Sequence, residues 1–144
     1  MKKITNSLEE TQAFVKEWIQ TITETNDQAI VVGLYGNLGA GKTAFTKCLA
    51  KELGIEIPVT SPTFVITKEY EVPNKNFSKL IHVDAYRLSS IADIEAIGLG
   101  EKFNDSDCVT LIEWPEKIEG ALPKDTIFIN FEYIDEQTRK ISFR

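Results

Sequence analysis

The sequence predicts an α/β fold of three layers, a mixed central sheet flanked by helices. Three observations carry that expectation. The apolar run Ala29 to Tyr35 empties straight into a glycine-rich segment and then a stretch with helical periodicity. A second apolar run, Cys108 to Ile112, ends on a carboxylate, Glu113. Two further pairs of segments, joined by short polar turns, read as antiparallel hairpins. The continuous apolar runs suit strands buried on both faces of a parallel region. The hairpins make the sheet mixed.

In chain order, the first expected element is a helix from Leu8 to Thr23. Ser7 and Glu10 form a capping box, and Leu8, Val15, Trp18, Ile19 and Ile22 recur on one face. Asn26-Asp27 is a turn. The strand Ala29–Tyr35 follows, then a helix from Lys42 to Leu53 with Phe45, Leu49 and Leu53 facing inward and Gly54 as its stop. The prolines of Pro58 to Thr63 mark a loop. Phe64 to Val72 reads as a strand, Pro73 to Asn76 as a turn, and Lys79 to Ala85 as a second strand pairing with the first. Ile91 to Ile97 is a short helix ended by Gly98. Cys108 to Ile112 is a strand, Pro115 to Ile118 a helical turn. Thr126 to Tyr133 and Arg139 to Phe143 close the chain as a hairpin across Asp135-Glu136.

The 144 residues suit a single domain across 1–144 with a core of its own. A net charge of −6 disfavours broad contact with a phosphate backbone. Cys48 and Cys108 lie far apart, with no CxxC or Cys/His cluster, so they read as two buried thiols of a reducing compartment. The polar start, Met1 to Asn6, lacks the apolar core of a secretory signal, and no apolar run is long enough to span a bilayer. The expected location is the cytoplasm, with no membrane partner.

Gly36-Asn37-Leu38-Gly39-Ala40-Gly41-Lys42-Thr43 fits G-x-x-x-x-G-K-[ST], the P-loop pattern. The glycines permit bends that turn several backbone N–H groups toward one point. The loop feeds a helix N-terminus, whose unpaired N–H groups and dipole favour anions. Lys42 brings positive charge to the β- and γ-phosphates of ATP or GTP. The Thr43 hydroxyl is placed to ligate Mg²⁺.

Such sites draw on an acidic residue at the end of a neighbouring strand, and Glu113 has that position. Ile81 to Leu88 closes another strand, where alternation puts His82, Asp84 and Tyr86 on one side. Asp84 is a candidate for orienting an attacking water or helping to hold Mg²⁺, and Arg87 for neutralising phosphate charge. His82 reads first as a structural hydrogen bonder. Trp114 and Pro115 read as packing residues or as a partner contact. Ser61 and Thr63 offer hydroxyls in the loop that commonly senses the γ-phosphate.

Together, Gly36–Thr43, Ser61-Pro62-Thr63-Phe64, His82-Val83-Asp84-Ala85-Tyr86-Arg87-Leu88 and Glu113-Trp114-Pro115-Glu116 resemble the bacterial TsaE (YjeE) family in order and spacing. The likeness runs over nearly the whole chain. Asn37 stands where that family usually has Asp, and Ala44 where it often has Thr. The resemblance implies a P-loop ATPase of tRNA threonylcarbamoyladenosine synthesis. It implies that Thr43 and Glu113 serve Mg²⁺, that Ser61 to Phe64 is a switch loop, and that Asp84 is needed for hydrolysis, with Lys42 on the phosphates. It further implies that the ATP cycle resets a TsaB–TsaD complex, so that tRNA is met only indirectly. Thr11 and Arg139 match positions close to the nucleotide in relatives.

Two other readings stay open at this level. A small-molecule kinase would carry an arginine-rich lid, whereas this chain has three arginines, Arg87, Arg139 and Arg144. A nucleotide-gated binding module would use the same loop without significant hydrolysis.

Overall fold

The computed structural model describes residues 1–25, 28–60, 66–73 and 76–144. Among these residues, seven strands form one sheet in the order β1-β7-β6-β2-β5-β4-β3. The strands are β1 (Lys2–Thr5), β2 (Ile30–Tyr35), β3 (Thr67–Glu71), β4 (Lys79–Asp84), β5 (Cys108–Glu113), β6 (Ile127–Tyr133) and β7 (Arg139–Phe143). The four inner strands β6, β2, β5 and β4 run parallel to one another, and β7 and β3 pair antiparallel with β6 and β4. The mixed sheet is therefore as expected, and so are both hairpins.

Helices α1 (Leu8–Thr25) and α2 (Lys42–Glu52) cover one face. Phe14, Val15, Trp18 and Ile19 of α1 meet Phe45 and Leu49 of α2 over Val32, Leu34, Leu80, Leu111 and Ile129. The other face is covered by α3 (Ile91–Ala96) and α4 (Leu99–Phe103), whose Ile94, Leu99 and Phe103 pack on Val31, Ile81, Val83 and Ile112. That gives the three layers. Strand β5 is buried at every position, as its apolar run requires. Cys48 and Cys108 are buried free thiols, and burial raises both above the ordinary thiol pKa, Cys108 to about 11.

Several expectations are corrected. The chain begins with a strand, not a helix: β1 pairs with β7 at the sheet edge, and only Thr5 of it is buried. A polar Lys-Lys-Ile-Thr edge strand has no apolar alternation to read, and lysines are what a protected edge carries. Leu8 is 61% exposed rather than part of the helix's buried face, because the first turn of α1 overhangs a cleft. The capping box is half formed. Ser7 Oγ accepts the Glu10 N–H at 3.1 Å, but the Glu10 carboxylate accepts from the Asn6 N–H, one residue before Ser7. Ile66 does not extend β3: its φ of +63° places it in the left-handed region, and its carbonyl instead accepts the Asp84 N–H at 2.7 Å. The strand expected to end at Ala85 stops at Asp84, and the short helix after Gly98, α4, follows where no element was expected. The expected turns at Asn26-Asp27 and around Asn74-Lys75, and the start of the strand at Phe64, lie outside the described residues.

Gly36 shows how tightly the sheet controls the segment after β2. It has φ +143°, and a Cβ there would lie 2.7 Å from the Phe131 carbonyl oxygen of β6. Gly39, φ +82°, has nothing within 4 Å of such a Cβ. Replacing Gly39 by Ala meets only left-handed backbone strain, about 1–2 kcal/mol, whereas Gly36→Ala adds a backbone clash and should cost on the order of 3 kcal/mol or more. Urea unfolding of the two variants checks this; equal midpoints would contradict it.

Candidate functional site

Strand β2 is the central strand of the parallel region, with β5 on one side and β6 on the other. The crevice beyond the carboxyl ends of such strands is where α/β sheets bind ligands. Here the segment leaving β2 turns through Gly36 and then Gly39 (φ +82°), closes an Ala40 N–H to Asn37 carbonyl bond of 3.0 Å, and enters α2 at Gly41, φ +111°. Gly41 has no side chain to cap α2. Among the described residues the first N–H groups of α2 are therefore open to an external acceptor. Asn37, Leu38 and Gly39 are exposed, Leu38 almost completely, so Leu38 contributes backbone only. Gly41 is held close by Arg139, whose Cγ would lie 3.3 Å from a Cβ at that position. Thr43 is exposed on the first turn of α2, and Ala44 is half-buried beside it.

Lys42 is only 8% exposed. Its ammonium lies 4.9 Å from the centre of the Trp114 ring. Trp114 follows β5 directly and sits in the left-handed region at φ +59°. Its ring meets Tyr86 edge to face at 5.2 Å, and Lys117 Nζ stands 5.1 Å from the Tyr86 ring. The result is an unbroken stack, Lys42–Trp114–Tyr86–Lys117, with a cation at each end. Cation–π contacts of this kind are worth about 0.5–2 kcal/mol each. The sequence alone marks Trp114 for packing or a partner contact and assigns Tyr86 no specific role. The signal available was the aromatic immediately after the strand-end carboxylate.

The register of the parallel strands brings the acidic candidates together. Glu113 is opposite Leu34 of β2 on one side and Asp84 of β4 on the other. Glu113 is buried, 7% exposed, and its Oε2 lies 3.5 Å from His82 Nε2. Asp84 is half-buried, and its Oδ1 accepts the Tyr86 N–H at 3.0 Å, which turns the chain out of β4. Tyr86 thus lies beyond the strand and is 58% exposed, so the expected His82–Asp84–Tyr86 face holds only for the first two. Arg87 is exposed next to it.

A cleft of about 370 Å³ opens beside the start of α2. It lies between the first turns of α1 (Ser7, Leu8, Thr11) and the β6–β7 hairpin (Gln137, Arg139), with Gly41 and Ala44 as its floor. Thr11 is buried, its hydroxyl 2.9 Å from Thr5 Oγ1 and 3.2 Å from the Ser7 carbonyl. The Arg139 guanidinium donates to the Asp135 and Thr138 carbonyls and stacks 4.8 Å from the Tyr133 ring. Thr11 and Arg139, distant in sequence from the glycine-rich loop, thus share one cleft with it. On the other flank of β2, the Tyr35 hydroxyl donates to Glu119. Burial, and then the Glu119 carboxylate, raise the Tyr35 pKa above the ordinary tyrosine value. Ser61 and Thr63 lie outside the described residues.

The donor set at this edge fits one kind of cation. Among the described residues no three His, Cys, Asp or Glu side chains group as a metal cage. A hydroxyl at Thr43 and a strand-end carboxylate at Glu113 suit Mg²⁺, which keeps several waters and takes the rest of its ligands from phosphate. Also among the described residues, no helix is long and apolar enough to cross a membrane.

Comparison with known proteins gives the family and the fold. The family described as "Threonylcarbamoyl adenosine biosynthesis protein TsaE" matches residues 5–141. The tRNA threonylcarbamoyladenosine biosynthesis protein TsaE of Haemophilus influenzae is 39% identical over 110 residues, covering 76% of this chain and 67% of that one. Its counterpart in Aquifex aeolicus is 37% identical over 140 residues, 96% and 91% of the two chains. The crystal structure of Bacillus subtilis YdiB superposes with a TM-score of 0.74 at 35% identity, over 99% of this chain and 83% of that one. With a match spanning almost every residue, from the edge strand to β7, this chain belongs to the TsaE family.

Proposed function

We propose that this protein binds ATP with Mg²⁺ at Gly36–Thr43 and hydrolyses it as the nucleotide-driven component of tRNA threonylcarbamoyladenosine synthesis, acting with the TsaB–TsaD complex. One observation carries the reading. The uncapped start of α2, the buried Lys42, and the neighbouring carboxylates of Asp84 and Glu113 converge on one sheet edge. Membership of the TsaE family supports the pathway.

In this reading the N–H groups of Gly39 to Thr43 hold the β- and γ-phosphates and Lys42 neutralises them. The nucleoside extends into the cleft between Thr11 and Arg139. Thr43 and Glu113 would hold Mg²⁺, which when bound screens the charge that builds on the phosphate oxygens. Asp84 accepts a hydrogen bond from the attacking water, whose oxygen forms the new bond to the γ-phosphorus as the bond to the β–γ bridging oxygen breaks. ADP and inorganic phosphate leave. The acidic surface fits a protein that meets tRNA through partners, and the location is proposed to be the cytoplasm.

Lys42→Ala should weaken binding of a fluorescent ADP or ATP analogue by about tenfold or more, since it removes a charge-assisted phosphate contact. Asp84→Asn should keep binding within about threefold yet lower phosphate release on the order of 100-fold. Adding TsaB–TsaD to the wild type should raise phosphate release; absence of both binding and stimulation would contradict the proposal. If Asp84→Asn leaves pathway function intact, a gated binding module without hydrolysis is the better account. Arg139→Ala should weaken ADP about tenfold and leave tripolyphosphate competition unchanged, because its contact is with the nucleoside side of the cleft.

A further inference from the structure

His82 lies on the sheet face that α1 and α2 cover. Leu80, two residues earlier on β4, and Leu111, its register partner on β5, both pack into that core. His82 is as deeply buried as they are nearly so, at 2% exposure. Among the described residues neither of its ring nitrogens has a hydrogen-bond partner. Leaving a buried polar ring unpaired is unfavourable, and leucine already fills the neighbouring positions of this layer. The ring does have one polar neighbour, the Glu113 carboxylate, 3.5 Å from Nε2. At that distance the contact is an approach and not a formed hydrogen bond. A carboxylate only accepts, so the Nε2 that faces it carries the hydrogen.

We propose that His82 is a positioning residue, whose buried imidazole aims the Glu113 carboxylate toward the phosphate loop. The inference rests on the reading that Glu113 serves Mg²⁺ there. Three features of the chain support it. The ring is closed off from solvent at 2% exposure, on the sheet face where Leu80 and Leu111 join the core. Its Nε2 addresses the same carboxylate that the strand register places between Leu34 and Asp84. The backbone of that carboxylate is fixed as well, since the Glu113 carbonyl accepts the Ala85 N–H at 2.9 Å. The main chain is pinned, and a donor at Nε2 bears on the rotation of the Glu113 side chain. Groups that orient a metal-binding side chain in this way typically change metal affinity about 10–100-fold when removed.

The test follows the Mg²⁺ dependence of binding of a fluorescent, non-hydrolysable ATP analogue. His82→Leu removes the donor and matches its neighbours. His82→Ala does so with a cavity instead, and serves where the leucine variant melts early by circular dichroism. His82→Gln keeps an N–H near the Nε2 position. The expected result is about a tenfold rise in the Mg²⁺ concentration for half-maximal binding in the leucine or alanine variant. Affinity in EDTA should be unchanged within about twofold, and His82→Gln should recover most of the loss. In a Glu113→Gln background, His82→Leu should add nothing further, because both act through one carboxylate. If Glu113→Gln shifts the Mg²⁺ dependence and the donor-less His82 variants do not, or if the two effects add, the inference is overturned. If Glu113→Gln itself shifts nothing, the assignment of Glu113 to the metal falls, and the role of His82 with it.

Discussion

The parallel register of β2, β5 and β4 is the constraint on which the rest of the structure depends. It sets Leu34, Glu113 and Asp84 side by side at one sheet edge. Because all three strands end together, the glycine-rich turn after β2 leaves the sheet at the same edge as two carboxylates from segments about 50 and 80 residues further on. A slip of one residue would turn Glu113 and Asp84 to the opposite face. That slip is prevented by burial. Leu80 and Val109 belong to one core, Ile81 and Ile112 to the other, and exchanging them would empty both. The apolar runs that announce the strands therefore also fix where the polar chemistry can occur.

Closeness of packing extends from the core into the loop itself. Gly33 of β2 stands so near Phe128 and Pro115 that a Cβ would lie 2.9 and 3.0 Å from them, and Gly36 is equally close to the Phe131 carbonyl. Glycine at 36 is thus demanded by β6, not only by the turn. Gly41 answers two requirements as well: left-handed backbone at the entry to α2, and room for the Arg139 stem. Strand β6 and the hairpin beyond it consequently hold the glycine-rich segment from the side that carries no candidate catalytic group.

Much of this was legible from residue patterns, for identifiable reasons. β2, α2 and β5 have continuous or periodic apolar signals, and each was found within a residue or two of its expected bounds. Glu113 could be placed because it follows such a strand, and Asp84 because alternation along β4 sets it on the face of His82. What pattern could not supply was contact between distant segments. The edge strand β1 has no apolar alternation, so only its pairing with β7 reveals it. Leu8 falls on the helical apolar stripe yet overhangs the cleft, because periodicity cannot say where the covering layer stops. His82 looked like an ordinary structural hydrogen bonder. Its actual state, buried and without a formed bond among the described residues, depends on the placement of Glu113 across the sheet.

The stack from Lys42 to Lys117 bears on how the site exists before any phosphate arrives. A buried ammonium is unfavourable unless something favours its charge. The acidic groups of β4 and β5 are near in register, but an ammonium locked in an ion pair with them would have to break it before meeting phosphate. The face of the Trp114 ring, 4.9 Å away, offers a weaker hold. Trp114 reaches that position through a left-handed backbone that costs a bulky side chain some strain, and Pro115 immediately fixes the next turn. Tyr86, carried out of β4 by the Asx-type bond to Asp84, meets the Trp114 ring edge to face. Each strand-end carboxylate thus has an aromatic within two residues, and the two aromatics touch each other beside the lysine's ring partner. Such an arrangement orients the ammonium against a ring face and, among the described residues, leaves it out of any salt bridge, the condition under which an incoming phosphate could draw it away without first breaking one.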